Sequence, residues 1–147
     1  MIKKTLSTLL LSTFAVMALE TGDAVPQAIQ DELKLQANQT YVIDFFASWC
    51  KSCKKELPLV EKVAKENVAN IIGVNVDKKE EDGKKFVSDL GLTFPVIYDN
   101  DKKLVEAFDP MGFPAIYYVK DGKVVNVIFG AVDDIDEQIK KDMQELK

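Results

Sequence analysis

The sequence predicts an α/β domain, with a mixed central β-sheet flanked by helices. Three observations carry that prediction. Short apolar runs rich in β-branched and aromatic residues, YVIDFF at 41–46, IIGVNVD at 71–77 and PVIYD at 95–99, alternate with stretches whose apolar residues recur at helical spacing. Two further strand-like runs, AIYYV at 115–119 and KVVNVIFG at 123–130, flank the turn KDG and read as a β-hairpin. The last segment is an amphipathic helix with an apolar face of Val132, Ile135, Ile139, Met143 and Leu146.

The elements follow in order. Residues 19–40 leave two readings open: AIQDELKLQ as a helix, or ELKL as an edge strand. Residues 41–46 are expected to form a buried central strand interrupted by one acid, Asp44. Leu57, Val60, Val63 and Ala64 among lysines and glutamates place a helix from about Cys50 to Asn67, kinked by Pro58. Residues 71–77 are the second strand. Lys79–Leu90 reads as an amphipathic helix carrying Phe86, Val87 and Leu90, in which Gly83 is unfavourable and after which Gly91 is a stop. Residues 95–99 are the third strand. Lys102–Phe108 is a short helix with Leu104, Val105 and Phe108 on one side. The mixed-sign run Asp77–Asp82 reads as a solvated helix start. Asp99-Asn100-Asp101 reads as a polar turn, since it lacks the glycine and distal glutamate of a calcium loop. Tyr117 and Tyr118 fall on opposite faces of their strand, so one is expected to meet the core. Asp133 and Asp134 sit at the positive end of the closing helix.

The N-terminus has the anatomy of a secretory signal. Lys3 and Lys4 precede an uncharged apolar stretch, Leu6–Ala18, and Val16 and Ala18 suit a cleavage site after Ala18. The expectation is therefore a signal peptide over 1–18, a single domain over 19–147, and a periplasmic protein without stable membrane insertion. Losing residues 1–18 removes two lysines and no acid, leaving 17 basic against 24 acidic residues and a formal charge of −7. Such a chain repels nucleic acid, and its length suits one core. A monomer is expected.

The chemistry is concentrated in FFASWCKSC at 45–53, which holds both cysteines of a chain that has no histidine. Three uses of the pair compete. A stapling disulfide acts by closing a long loop, and this pair closes almost none. A zinc site needs about four ligands, and two cysteines without histidine do not supply them. Thiol–disulfide exchange is favoured, with no cofactor and no metal. At a strand-to-helix turn, unpaired backbone N–H groups and the helix dipole favour an anion on Cys50. Its pKa is expected below the free value of about 8.5, helped by Lys51, Lys54 and Lys55. Cys50, expected to be the more exposed of the two, is then the nucleophile and Cys53 the resolving thiol.

VIDFFASWCKSCKKELP resembles the thioredoxin superfamily, and within it the exported TlpA-like branch. The resemblance covers residues 41 to about 145. It implies a thioredoxin fold in which residues from about Lys79 to Asp99 are the helix-and-strand insertion of that branch. It implies that Asp44, six residues before Cys50, is the buried acid that moves the proton of the resolving cysteine. It implies that Trp49 shapes the docking surface, that Pro58 kinks the active-site helix, and that Lys55-Glu56-Leu57-Pro58 matches the branch's Lys/Arg-Glu-x-Pro run. It also implies a cis-proline facing the dithiol. Of Pro95 and Pro114, only Pro114 precedes a run like the family's terminal hairpin, so Pro114 is expected to be cis, with Phe113 in a place usually held by threonine or valine. Lys51-Ser52 departs from the proline common in second place between the cysteines, which leaves the direction of electron flow open. The implied partners are protein disulfides, with a membrane thiol carrier as electron donor and cytochrome c maturation as the client pathway. Two other readings stay open: a disulfide-donating oxidant, and a non-catalytic module that binds peptides or metal.

Overall fold

A computed structural model describes residues 17–147. The signal peptide expected over 1–18 lies outside them except for its last two residues. In chain order the elements are α1 (Gln27–Glu32), β1 (Thr40–Phe46), α2 (Lys51–Lys65), β2 (Asn70–Asn75), α3 (Glu80–Leu90), β3 (Val96–Tyr98), α4 (Lys103–Phe108), β4 (Ala115–Lys120), β5 (Lys123–Phe129) and α5 (Ile135–Glu145). They build one five-stranded sheet in the order β3-β2-β1-β4-β5. The pairs β1–β2 and β2–β3 are parallel, and β1–β4 and β4–β5 antiparallel, so the sheet is mixed.

β1 takes the centre because its residues can be buried on both faces: Val42, Ile43, Phe45 and Phe46 are wholly inaccessible. The period of two sends Ile43 and Phe45 to one side and Val42, Asp44 and Phe46 to the other. On the first side Phe45 meets Phe108 of α4 at 5.2 Å and Tyr117 of β4 at 5.7 Å between ring centroids. On the second, Phe46 packs against Phe86 of α3 at 6.1 Å. Helices α2 and α5 pack against each other, joined at the surface by Lys62 Nζ to Asp136 Oδ2 at 2.7 Å.

Several expectations are corrected by packing. Residues 27–32 are helical, and ELKL does not become a strand. Tyr117 and Tyr118 are both fully buried, because helices cover both faces of β4. Asp77 does not begin a solvated helix: it is 4% exposed, and α3 starts at Glu80. Asp99 is more than part of a polar turn. It is buried and accepts the Leu104 and Val105 N–H groups at 2.9 and 2.8 Å, tying down the start of α4. Gly91 ends α3 as expected, in the left-handed region with φ 63°. The hairpin turn Asp121-Gly122 has positive φ at both residues, the type I′ pattern that matches strand twist. Among the described residues no helix is long and apolar enough to cross a membrane.

Candidate active site

The site forms where β1 ends. Ala47-Ser48-Trp49 turn the chain out of the sheet, with the Cys50 N–H returning to the Ala47 carbonyl at 3.1 Å. Cys50 is the N-cap of α2 in extended conformation, and its sulfur accepts the Cys53 N–H at 3.2 Å. An unpaired donor of the first helical turn is thus aimed at the Cys50 sulfur, the contact that favours a thiolate there once the pair is reduced. The two cysteines form a disulfide with their Cα atoms 5.3 Å apart. Cys50 retains 6% exposure and Cys53 none, so outside reagents reach the first sulfur. The first turn of α2 holds no acid, and Lys51, Lys54 and Lys55 are exposed around it.

Behind the dithiol lies a pair of buried acids. Asp44 is fully inaccessible in the central strand, and neither carboxylate oxygen has a hydrogen-bond partner. Burial first, and then the neighbouring Glu56, push its pKa well above the ordinary aspartate range. Glu56, on α2, is 3% exposed. Its Oε2 accepts the Val132 N–H at 2.8 Å, whereas Oε1 has no partner. Burial raises it from 4.5 to about 7, against the opposing pull of the Val132 N–H. Two buried acids, both holding their protons above the ordinary carboxylate range, can take up and release the proton of a nearby thiol.

The opposite wall comes from the chain before β4. The Phe113–Pro114 peptide bond is cis, and Pro114 is buried. Pairing of Phe45 with Ala115 sets Pro114 across from Phe46, at the end of β1 from which the cysteine loop leaves. Trp49 is 64% exposed and meets the half-buried Phe113 edge-to-face, with centroids 5.7 Å apart. The structure therefore brings all six sequence-predicted site residues, Asp44, Trp49, Cys50, Cys53, Phe113 and Pro114, to one end of the sheet. It places Asp44 in the core and Trp49 on the surface.

A model of the AhpC/TSA family matches residues 19–128. The chain belongs to the AhpC/TSA family. Within this group of thioredoxin-superfamily domains it is similar to the thiol-disulfide oxidoreductase ResA of Bacillus thuringiensis (strain Al Hakam), with 32% identity over 117 residues, 77% of this chain and 64% of that protein. The chain thus spans slightly less than two thirds of the length of that relative. Among solved structures it resembles a putative thiol:disulfide interchange protein DsbE from Chlorobium tepidum, at TM-score 0.72 and 22% identity over 87% of this chain and 98% of that one. It also resembles a thiol:disulfide interchange protein from a Bacteroides species, at TM-score 0.65 and 25% identity over 87% and 93%. The fold is the thioredoxin fold, and these relatives belong to the TlpA-like branch that the dithiol run resembles.

Two further side chains, Glu56 and Ser52, stand beside the dithiol. In the sequence Glu56 is part of the Lys55-Glu56-Leu57-Pro58 run, and it follows Cys53 by one helical turn, on the buried face with Leu57, Val60 and Val63. An acid at that spacing is the signal that could have found it. Ser52, which departs from the proline common at that place, has its hydroxyl 3.5 Å from the Cys50 sulfur. A cleft of about 500 Å³ opens beside these groups, lined by Lys51, Ser52, Lys55, Glu56, Val132 and Asp133, and gives solvent a way to Glu56. A larger cleft of about 650 Å³ lies at the far end of the sheet, near the starts of β1 and β2, away from the cysteines.

Proposed function

We propose that this chain is an exported thiol–disulfide oxidoreductase that reduces protein disulfides in the periplasm. One observation carries the reading: a Cys-x-x-Cys pair at the mouth of α2, with a backbone N–H on the outer sulfur, and a buried Glu56 one helical turn past the inner one with Asp44 as its neighbour. In the reduced protein the Cys50 thiolate attacks one sulfur of a client disulfide and expels the other as a thiolate, which takes a proton from solvent. The mixed disulfide is then resolved by Cys53. Its proton passes to the Asp44–Glu56 pair, and its sulfur attacks Cys50. The second client thiol departs, leaving the Cys50–Cys53 bond. Two electrons move from the enzyme to the client, with one proton from solvent for the first client sulfur and one from Cys53, by way of the acid pair, for the second. A thiol carrier on the membrane side restores the dithiol.

The client lies as an extended segment against the cis-proline turn, with Trp49 and Phe113 as the apolar wall. The apolar N-terminal stretch after Lys3 and Lys4 supports export. Resemblance to the TlpA-like branch supports clients in cytochrome c maturation. The test is reduction of insulin disulfides with a dithiol donor. The wild-type chain should be active and Cys50→Ser inactive; activity retained by the variant removes Cys50 as nucleophile. Equilibration with glutathione then decides direction. A potential near about −270 mV fits a reductant, and one near about −120 mV overturns this reading in favour of an oxidant.

A further inference from the structure

We propose that helix α3 is a mechanical part of the dithiol site, holding Cys50 at the mouth of α2 through a buried line of contacts from Gly83 to Asn75, Asp77 and Ser48. The inference rests on the exchange reading above and names positioning residues for it, none of which touches a sulfur.

The line begins in the loop itself. Ser48, two residues before Cys50, donates its N–H to Asp77 Oδ2 at 2.9 Å and its hydroxyl to Asp77 Oδ1 at 2.7 Å. The carboxylate grips main chain and side chain of one residue together, with both hydrogen bonds strengthened by its charge. Asp77 is itself held. Asn75 Nδ2 donates to Asp77 Oδ2 at 2.7 Å, and the Asp77 N–H returns to Asn75 Oδ1 at 3.3 Å. Both residues are buried, at 4% and 1% exposure. The last contact explains an oddity of the sequence, a glycine in the middle of an amphipathic helix, where it is among the least favourable residues. A Cβ on Gly83 would lie 2.1 Å from Asn75 Oδ1 and 2.6 Å from Asn75 Cγ. Gly83 lets α3 sit directly on the Asn75 amide and fix its orientation, so the helix is pressed onto the network that ends at the cysteine loop.

What the clamp does follows from the geometry next to it. With Ser48 fixed, and the Cys50 N–H on the Ala47 carbonyl, the outer sulfur is presented to the Cys53 N–H. A loop free to drift loses that donor. The Asp77 charge by itself works the other way, since a carboxylate near the loop opposes a thiolate. Geometry and charge therefore predict opposite signs, which makes the proposal testable.

The measurement is the pH dependence of alkylation of the reduced full chain by iodoacetamide, whose midpoint reports ionisation of the accessible Cys50. The charged and titratable groups around Cys50 are Lys51, Lys54, Lys55 and Glu56 on α2, Asp44 on β1, Asp77 behind the loop and Asp133 after β5. All of them are kept in Gly83→Ala and Ser48→Ala. Asp77→Ala, which removes clamp and charge, and Gly83→Ala, which displaces Asn75, should each raise the midpoint by about half a unit to one unit, roughly three- to tenfold less thiolate below it. Asp77→Asn keeps an oxygen for the Ser48 N–H and turns an amide toward the Ser48 hydroxyl, so its midpoint should stay at or below wild type. The clamp is overturned if Asp77→Ala lowers the midpoint as Asp77→Asn does, or if folded Gly83→Ala leaves it in place. Should Asp77→Ala fail to fold, Ser48→Ala and Gly83→Ala decide, and two unmoved midpoints reject the proposal. No client enters this assay. Shifted midpoints in a protein that fails to reduce insulin support the clamp and remove the activity reading; unmoved midpoints in an active enzyme do the reverse.

Discussion

Replacing Glu56 by Gln isolates the cost of keeping an acid behind the dithiol. The shape is retained, and the glutamine oxygen can still accept the Val132 N–H that Glu56 Oε2 accepts at 2.8 Å. In the folded protein burial lifts Glu56 from 4.5 to about 7. Below the lower value the proton is bound in both folded and unfolded chains and the acid costs nothing. Between the two values the unfolded chain releases the proton while the folded one keeps it, so stability falls as pH rises. Above about 7 the full difference is lost, roughly 3 kcal/mol for a rise of this size. Glutamine cannot ionise. The variant should therefore match the wild type near pH 4 and exceed it by about 3 kcal/mol near pH 8. Asp44 is raised too, and contributes a slope of the same sign to both proteins, so it largely cancels in the difference. The assay is urea denaturation of the oxidised protein followed by far-ultraviolet circular dichroism at both pH values. A stability difference independent of pH, or a variant less stable at pH 8, refutes the buried-acid account.

Three further outcomes are expected. Tyr118→Phe removes a fully buried hydroxyl that has no hydrogen-bond partner, and should stabilise by about 1 kcal/mol in thermal or urea melts; a clear loss of stability means that the hydroxyl is satisfied in solution. Phe108→Ala takes out a ring packed against Phe45 and Tyr117, and should cost about 3–5 kcal/mol by the same melts; a loss below about 1 kcal/mol contradicts the packing described for that face. Trp49→Ala removes an exposed ring, so stability should change by no more than about 0.5 kcal/mol. Insulin reduction by that variant should show a raised KM with little change in kcat, and an unchanged KM removes Trp49 from the client surface.

The elements were readable because each carries its period locally. β1, β2, the hairpin and α5 lie within a few residues of where alternation, turn residues and helical spacing place them. The dithiol was readable from its spacing, and its facing proline and the acid in β1 from the resemblance of this run to the thioredoxin superfamily. Misreadings cluster where a polar residue is judged by its sequence neighbours. Asp77 sits in a run of charges, and Asp99 in a polar turn, yet each is buried: Ser48, 29 residues away, donates to Asp77, and the start of α4 folds back to donate to Asp99. Tyr118 has no local mark of burial, since the helices that cover it come from other parts of the chain.

The sequence by itself determined the alternation of strands and helices, favoured exchange over a zinc clip for the only two thiols, and put Cys50 at a helix start. These follow from backbone periodicity, ligand arithmetic and the polarity of helix ends, all of which act over a few residues. Tertiary structure alone decided that Glu56 shares a buried space with Asp44, and that a glycine in α3 bears on the loop before Cys50. Desolvation and steric contact depend on which groups meet across the fold, and residues 83 and 48 are linked, through Asn75 and Asp77, only once α3 has packed onto the end of β2.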